Sequence, residues 1–306
     1  MWKDFEPSYR KLSRAQFSEK IEQLTEILKN CHLCPRNCGV NRLAGERGYC
    51  QAGEKLQISS YGAHFGEEDV LVGRYGSGTI FLTWCNLRCC FCQNREISLL
   101  GDGEVLSPEQ CGAIMLNLQK QGCRNINLVT PTHFAAGLVE SILLASQAGL
   151  TLPIVWNCGG YESVEVLRIL EGVVDIYMPD IKYSRPETAE KFSRAKDYGE
   201  KSRQAVKEMH RQVGDLVVCN GLARRGLLIR HLVLPGHVEE SIEILEFIAK
   251  EISPQTYVNV MAQYRPYGEV PAEINRPLFL SEYQRVVKKA VSLGLIRGLR
   301  CESNRL

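Results

Sequence analysis

Residues 76–94 read GSGTIFLTWCNLRCCFCQN, a strand that empties into a loop of cysteines. Positions 79–83 form a short apolar run with a β-branched bias, entered through glycines, as a buried strand requires. In the loop that follows, Cys85, Cys89 and Cys92 are spaced C-x3-C-x2-C. Three thiolates so close can cap three irons of a four-iron, four-sulfide cube and leave one iron open for a substrate or cofactor; a fully Cys-ligated cube suits electron transfer instead. The competing reading is zinc, which asks for four ligands. Cys90 could be a fourth, but adjacent Cys89 and Cys90 point in different directions and serve one tetrahedron poorly.

Beyond this loop, strand-like and helical patterns alternate. Strand runs fall at 125–130, 153–157, 174–178, 227–234 and 257–262, and helical stretches near 107–121, 135–148, 163–171, 186–212, 239–251 and 281–293. Ser107-Pro108-Glu109-Gln110 and Ser281-Glu282-Tyr283-Gln284 read as capping boxes, with Ser184 and Glu187 a weaker copy. Six strands alternating with helices predict parallel βα units, in a doubly wound sheet or a barrel. Both place ligands at the carboxyl ends of the strands. Those ends carry the Cys loop, Thr130-Pro131-Thr132-His133, Asn157-Cys158-Gly159-Gly160, Met178-Pro179-Asp180-Ile181-Lys182, Pro235-Gly236-His237 and Gln263-Tyr264-Arg265.

Upstream, apolar residues at Phe17, Ile21, Leu24 and Leu28 predict a helix over 16–29. Residues 31–77 show little period, and 31–50 read CHLCPRNCGVNRLAGERGYC, spaced C-x2-C-x3-C-x11-C. Four thiolates around a basic, Gly-containing loop fit a closed site at Cys31, Cys34, Cys38 and Cys50, holding zinc or a second iron–sulfur cluster. We expect residues 1–77 to be an N-terminal helix and Cys-rich metal-binding extension, and 78–306 a barrel with a C-terminal helix. The chain of 306 residues has 13 Cys, an odd number that cannot all pair internally. Cys111, Cys123, Cys158, Cys219 and Cys301 read as packing residues. With 37 basic against 35 acidic residues the net charge is +2, which gives no argument for nucleic acid or an acidic membrane. The start of the chain has no apolar signal core and no run is long enough to span a bilayer, so a reducing cytoplasm is expected.

The Cys motif and its flanks resemble the radical S-adenosylmethionine (SAM) superfamily, and the wider run over residues 30–265 resembles the pyruvate formate-lyase activating enzymes, in the branch with an extra N-terminal Cys motif. The resemblance implies an α/β fold, a partial six-fold βα barrel open on one side. It also implies a 4Fe-4S cluster on Cys85, Cys89 and Cys92, and SAM chelated by the open iron. Reductive cleavage of SAM would give a 5′-deoxyadenosyl radical that abstracts hydrogen. Phe91 would lie beside the adenine. DIYMPDIKY at 175–183 is similar to the end of the fourth strand, which implies Met178, Asp180 and Lys182 near the methionine part of SAM. Asp180 and Lys182 share one face by strand alternation. Asn157 stands in the place of a Thr-Asn-Gly turn, and LIRHLVLPG at 228–236 resembles the fifth strand, with Arg230 directed into the barrel. Where most relatives carry Gly-Gly-Glu for the SAM amino group, this chain has Thr130-Pro131-Thr132-His133, leaving Thr132 or His133 as the acceptor.

The function expected from the resemblance is activation of a protein by hydrogen abstraction from a glycine, with a glycyl-radical enzyme as partner and flavodoxin or ferredoxin as electron donor. The alternatives are radical modification of a peptide, tRNA or metabolite, with the near-neutral charge against RNA. A non-catalytic iron–sulfur electron carrier is the alternative of another class, and a three-Cys cluster argues against it.

Overall fold

The computed structural model describes residues 5–299. Six strands run parallel in the order β2 (Ser77–Leu82), β4 (Ile126–Val129), β5 (Ile154–Cys158), β6 (Ile176–Pro179), β8 (Leu222–Leu232) and β9 (Tyr257–Met261). They coincide with the six strand runs of the sequence. β9 pairs with β8 and not with β2, so the sheet curls but does not close. The fold is therefore α/β, a partial barrel.

Strand alternation divides the side chains between two faces. Ile154, Trp156, Tyr177, Leu227 and Ile229 join the main core under the helices, while their neighbours Val155, Ile176, Met178 and Leu228 form a second apolar cluster on the other face. Both faces are buried, as a helix-covered parallel sheet requires. Leu71 of the short α2 (Asp69–Val72) packs in the second cluster and plugs the inside of the curl.

The helices follow their strands: α4 (Pro108–Lys120), α5 (Ala135–Gln147), α6 (Val164–Ile169), α7 (Pro186–Ser193), α8 (Tyr198–Val213), α9 (Val238–Phe247) and α10 (Leu280–Ser292), with a short α3 (Arg95–Ser98) after the Cys loop. Ser107 caps α4 with Gln110 as expected. The other two boxes do not form. Ser184 donates to Glu243 ahead of α7, and α10 starts before Ser281, where Glu282 accepts from the Phe279 amide. The single helix expected over 186–212 is two, because Arg194 takes a left-handed φ of 49° that ends α7.

Three strands escaped the sequence reading. β1 (Leu56–His64) runs antiparallel to β2 and carries β3 (Glu104–Leu106) on its far side, while β7 (Val217–Cys219) is a hairpin partner of β8. The N-terminal residues share the main core: α1 (Arg14–Ile27) lies on α5 and α6, and Tyr9, Phe17 and Leu24 are fully or almost fully buried in that core. Cys111, Cys123 and Cys158 are buried as expected, whereas Cys219 is exposed at the end of β7, where the hairpin leaves nothing to pack on it. Cys301 lies outside the described residues. Among the described residues no helix is long and apolar enough to cross a membrane.

Candidate functional site

The loop after β2 is held in a strained shape. Trp84 and Arg88 have φ of 65° and 53°, conformations that bulky side chains avoid. Trp84 is locked by a bond from its amide to Ile97 O (2.9 Å) and from its indole N–H to Gln57 Oε1 (2.9 Å). Its ring lies against Gly101, where a Cβ would come within 2.1 Å of it. Each of the three thiols then meets a polar group. Ser193 donates to Cys89 Sγ at 3.0 Å and is itself bonded to the Tyr183 hydroxyl at 2.7 Å. Ser98 Oγ is 3.1 Å from Cys92 Sγ, and the Leu87 amide donates to Cys85 Sγ at 3.4 Å.

Burial, with Cys89 next, pushes the Cys85 thiol up to about 12, and burial raises Cys92 against the pull of Ser98. Crowded and buried thiols of this kind ionise when a cation takes the charge, so the donor set fits a thiolate-bound metal centre. Among the described residues no three His, Cys, Asp or Glu side chains converge on a point that one ion could occupy. A four-iron cube takes one thiolate per iron, so its ligands stay apart. The spacing of the three thiols along this loop is compatible with the cube.

The polar strand ends gather on the inner face. Counting in twos from Val155, Met178 and Leu228 leads to Asn157, Asp180 with Lys182, and Arg230. Lys182 Nζ is 2.6 Å from Asp180 Oδ2, Arg230 Nε is 2.8 Å from Asp180 Oδ1, and Arg230 Nη2 donates to Asn157 Oδ1 at 2.7 Å. From below, Glu67 brings its carboxylate to 3.5 Å from Arg230. Burial pushes the Asp180 carboxyl up, but Arg230 and Lys182 outweigh it and hold it below its ordinary value. Burial likewise opposes the charge on Lys182, yet Asp180, with a smaller contribution from Cys89, raises it overall. The turn that carries these groups needs Gly160 (φ 77°), where a Cβ would fall 2.2 Å from Asp180 O. The Tyr198 hydroxyl pins the same turn, lying 2.9 Å from both Gly159 O and Asp180 O.

Phe91 forms edge contacts with Tyr183, Phe192 and Tyr264, at centroid distances of 6.4, 6.2 and 5.8 Å. Met178 is fully buried in the apolar cluster beneath the polar group. Thr132 donates to Glu162 at 2.7 Å, and burial pushes that carboxyl up to about 7. His133 is turned away, its Nε2 on Thr83 O at 2.7 Å and its carbonyl on Arg42. So four of the expected SAM contacts (Asn157, Asp180, Lys182 and Arg230) come together, and Thr132 and His133 do not join them. Glu67 and Glu162 were not singled out in the sequence. Glu162 follows the Gly159-Gly160 turn by two residues and lies beside Thr132, from which it accepts. A groove of about 820 Å³ lies elsewhere, between α1 and α6.

Residues 79–248 match the family model of the Radical SAM superfamily. The uncharacterized protein MJ0674 of Methanocaldococcus jannaschii is 34% identical over 289 residues, covering 90% of this chain and 78% of that protein. MJ0808 of the same organism is 26% identical over 188 residues, covering 56% of this chain and 54% of the other. Among solved structures, anSMEcpe with bound AdoMet and the Cp18Cys peptide superposes with a TM-score of 0.48 at 10% identity, over 69% of this chain and 56% of that one. The cobalamin-dependent enzyme OxsB gives 0.42 at 12% identity, over 72% and 31%. The chain thus spans little more than half the length of the first of these structures, and a third of the second. The family match begins at β2 and runs through the strand ends that carry the Cys loop and the polar group, and on it the chain belongs to the radical SAM superfamily, whose enzymes work with a 4Fe-4S cluster and SAM.

Proposed function

We propose that Cys85, Cys89 and Cys92 each ligate one iron of a 4Fe-4S cluster, and that the chain uses it with SAM to activate a protein by removing hydrogen from a glycine. The observation that supports this reading most is the coincidence of the family match with the loop: the match opens on the strand that releases the three thiols. When bound, the cluster and SAM supply a 5′-deoxyadenosyl radical. The chain's own residues bind and orient. Lys182 and Arg230 suit the carboxylate of the methionine part, and Asp180 and Asn157 suit its ammonium, since charge-assisted bonds of both signs are needed for a zwitterion. With Thr132 engaged by Glu162 and His133 by Thr83, Asp180 is the acceptor we assign in place of Gly-Gly-Glu. Phe91, backed by Tyr264 and Phe192, offers an aromatic wall for adenine.

The protein substrate is supported by the unclosed sheet, because its edges at β9 and β3 do not meet, which leaves the strand ends approachable from the side by a loop of another chain. A flavodoxin or ferredoxin in the cytoplasm would supply the electron. The test is anaerobic: iron-loaded protein, dithionite and SAM should release 5′-deoxyadenosine, and Cys85→Ala should not. Candidate glycyl-radical enzymes added to the mixture should then show a protein radical by electron paramagnetic resonance. No cleavage at full iron loading would refute an enzymatic role and favour an electron carrier. Cleavage without a radical on any candidate would refute the activase reading and direct the search to a peptide, tRNA or metabolite.

A further inference from the structure

Cys31, Cys34, Cys38 and Cys50 line one closed chamber, together with Arg42 and His133. The backbone builds it as a knuckle. The Cys31 amide donates to Val40 O at 2.9 Å, the Gly39 amide returns to Cys31 O at 3.0 Å, and the Tyr49 amide donates to Cys38 Sγ at 3.3 Å. Gly48 allows this approach, since a Cβ there would sit 2.8 Å from the same sulfur. All four thiols are free.

Two wall residues have opposite unmet needs. Arg42 is 2% exposed and has no carboxylate partner among the described residues. Its guanidinium bonds to the carbonyls of Gly53 and His133, lies 4.0 Å from Cys31 Sγ, and leaves Nε buried without an acceptor. A buried cation with no counter-charge is strongly unfavourable. His133, also 2% exposed, donates through Nε2 to Thr83 O, so Nδ1 keeps its lone pair, and that atom is buried without a donor. An N–H seeking an anion and a lone pair seeking a cation, on the walls of one thiol-lined chamber, are both answered by a metal bound to thiolates.

We propose that these residues form a second metal centre, in which the thiolates of Cys31, Cys34, Cys38 and Cys50 hold a thiophilic metal, His133 Nδ1 faces it, and Arg42 is the counter-charge to the anionic set. The free space is about 10 Å³, the room of one water-sized body, which suits a single ion. The thiols do not yet converge on one point, so a single ion would draw them in, while an iron–sulfur cluster would need them turned outward. Zinc and iron–sulfur are the two forms of the same thiolate chemistry.

The centre also braces the cluster loop. Between Cys34 and Cys38, Arg36 stacks on Tyr49 at 3.8 Å and donates to Asn86 O (2.9 Å), Ser193 O (2.7 Å), Leu87 O (3.4 Å) and the Arg194 carbonyl. Metal at Cys34 and Cys38 fixes the turn that carries this side chain.

The test is independent of SAM chemistry. The full chain with Cys85, Cys89 and Cys92 all replaced by Ala is purified without oxygen, and its metal and acid-labile sulfide are measured. About one zinc per chain, or iron with matching sulfide, with sulfur neighbours in X-ray absorption, is expected. Adding Cys31→Ser and Cys34→Ser should release that metal, and adding His133→Phe should weaken its retention against a chelator about tenfold. A folded triple variant with no stoichiometric metal would overturn the proposal, as would metal that survives the loss of Cys31 and Cys34. Unchanged retention in the His133 variant would remove that residue from the centre. The triple variant keeps His133 and Arg42, so its metal content decides the matter even where the further variants fail to fold.

Discussion

Asp180→Asn tests whether the polar strand ends act as one charge network. Asp180 accepts from Lys182 at 2.6 Å and from Arg230 at 2.8 Å, so the amide leaves two cations facing each other in a half-dry cleft. Breaking a buried pair on one side costs about 3–5 kcal/mol, and the side chains here keep 16–18% exposure, so the lower end, about 3 kcal/mol, is expected. At an m-value of about 3 kcal/mol/M for a chain of this size, the urea midpoint at neutral pH should fall by about 1 M. Asp180 has a folded pKa below its unfolded value of about 3.9, so its stabilisation is complete above that value and is lost as pH falls through the folded one. The gap between wild type and variant should therefore be wide at about pH 7 and close only below about pH 4. Adding Arg230→Met to Asp180→Asn should recover part of the loss, because the unpaired cation goes with it. A midpoint shift under about 0.3 M at neutral pH would refute the network, since such a change is within that of an ordinary surface substitution.

Arg36→Ala should cost about 2 kcal/mol from its two best carbonyl bonds and alter the electron paramagnetic resonance spectrum of the reduced cluster; Arg36→Lys, unable to reach several carbonyls at once, should not restore it. An unchanged spectrum in the Ala variant would count against the brace. Glu162 has a folded pKa raised to about 7, so it binds more protons folded than unfolded between about pH 4 and 7, and wild-type stability falls as pH rises through that window. Glu162→Gln keeps an acceptor for Thr132 and should be about 2–3 kcal/mol more stable than wild type at about pH 8, with no gain at about pH 4, read by thermal melts. Gly160→Ala combines a φ of 77° with a 2.2 Å approach to Asp180 O, so a loss above about 2 kcal/mol and weakened SAM binding are expected from denaturation and calorimetry.

The parts of the fold that could be read from the sequence were those in which one residue pattern answers to one burial pattern. β4, β5 and β6 are buried on both faces and flanked by turns, and they emerged where the pattern put them. β1 escaped because its burial fades along its length: Leu56 and Ile58 face the core, while Tyr61 and the residues near His64 face solvent, leaving a Gly- and Ser-rich run with no clean alternation. The break at Arg194 escaped for a different reason, since a left-handed arginine is stabilised by tertiary contacts, here the carbonyls of Ser193 and Arg194 that Arg36 takes from a segment more than 150 residues away.

The candidate site divides along the same line. Spacing alone carries Cys85, Cys89 and Cys92, because a loop of eight residues cannot separate its own thiols. Asn157, Asp180, Lys182 and Arg230 converge because counting in twos along three adjacent strands fixes their side. His133 breaks the pattern. It stands at a strand end like the others, but Thr130 has a φ of 59°, which a β-branched residue adopts only under constraint. The chain leaves β4 through that kink, and the next residues turn outward over the top of the sheet. A strand-end position thus predicts the inner cleft only while the strand's alternation continues; once the backbone crosses into a left-handed residue, the same position faces whatever packs outside. At β4 what packs outside is the four-cysteine chamber, and the residue that resemblance assigned to SAM stands instead between two thiol-lined sites, bonded to the end of one strand-loop and lining the wall of the other.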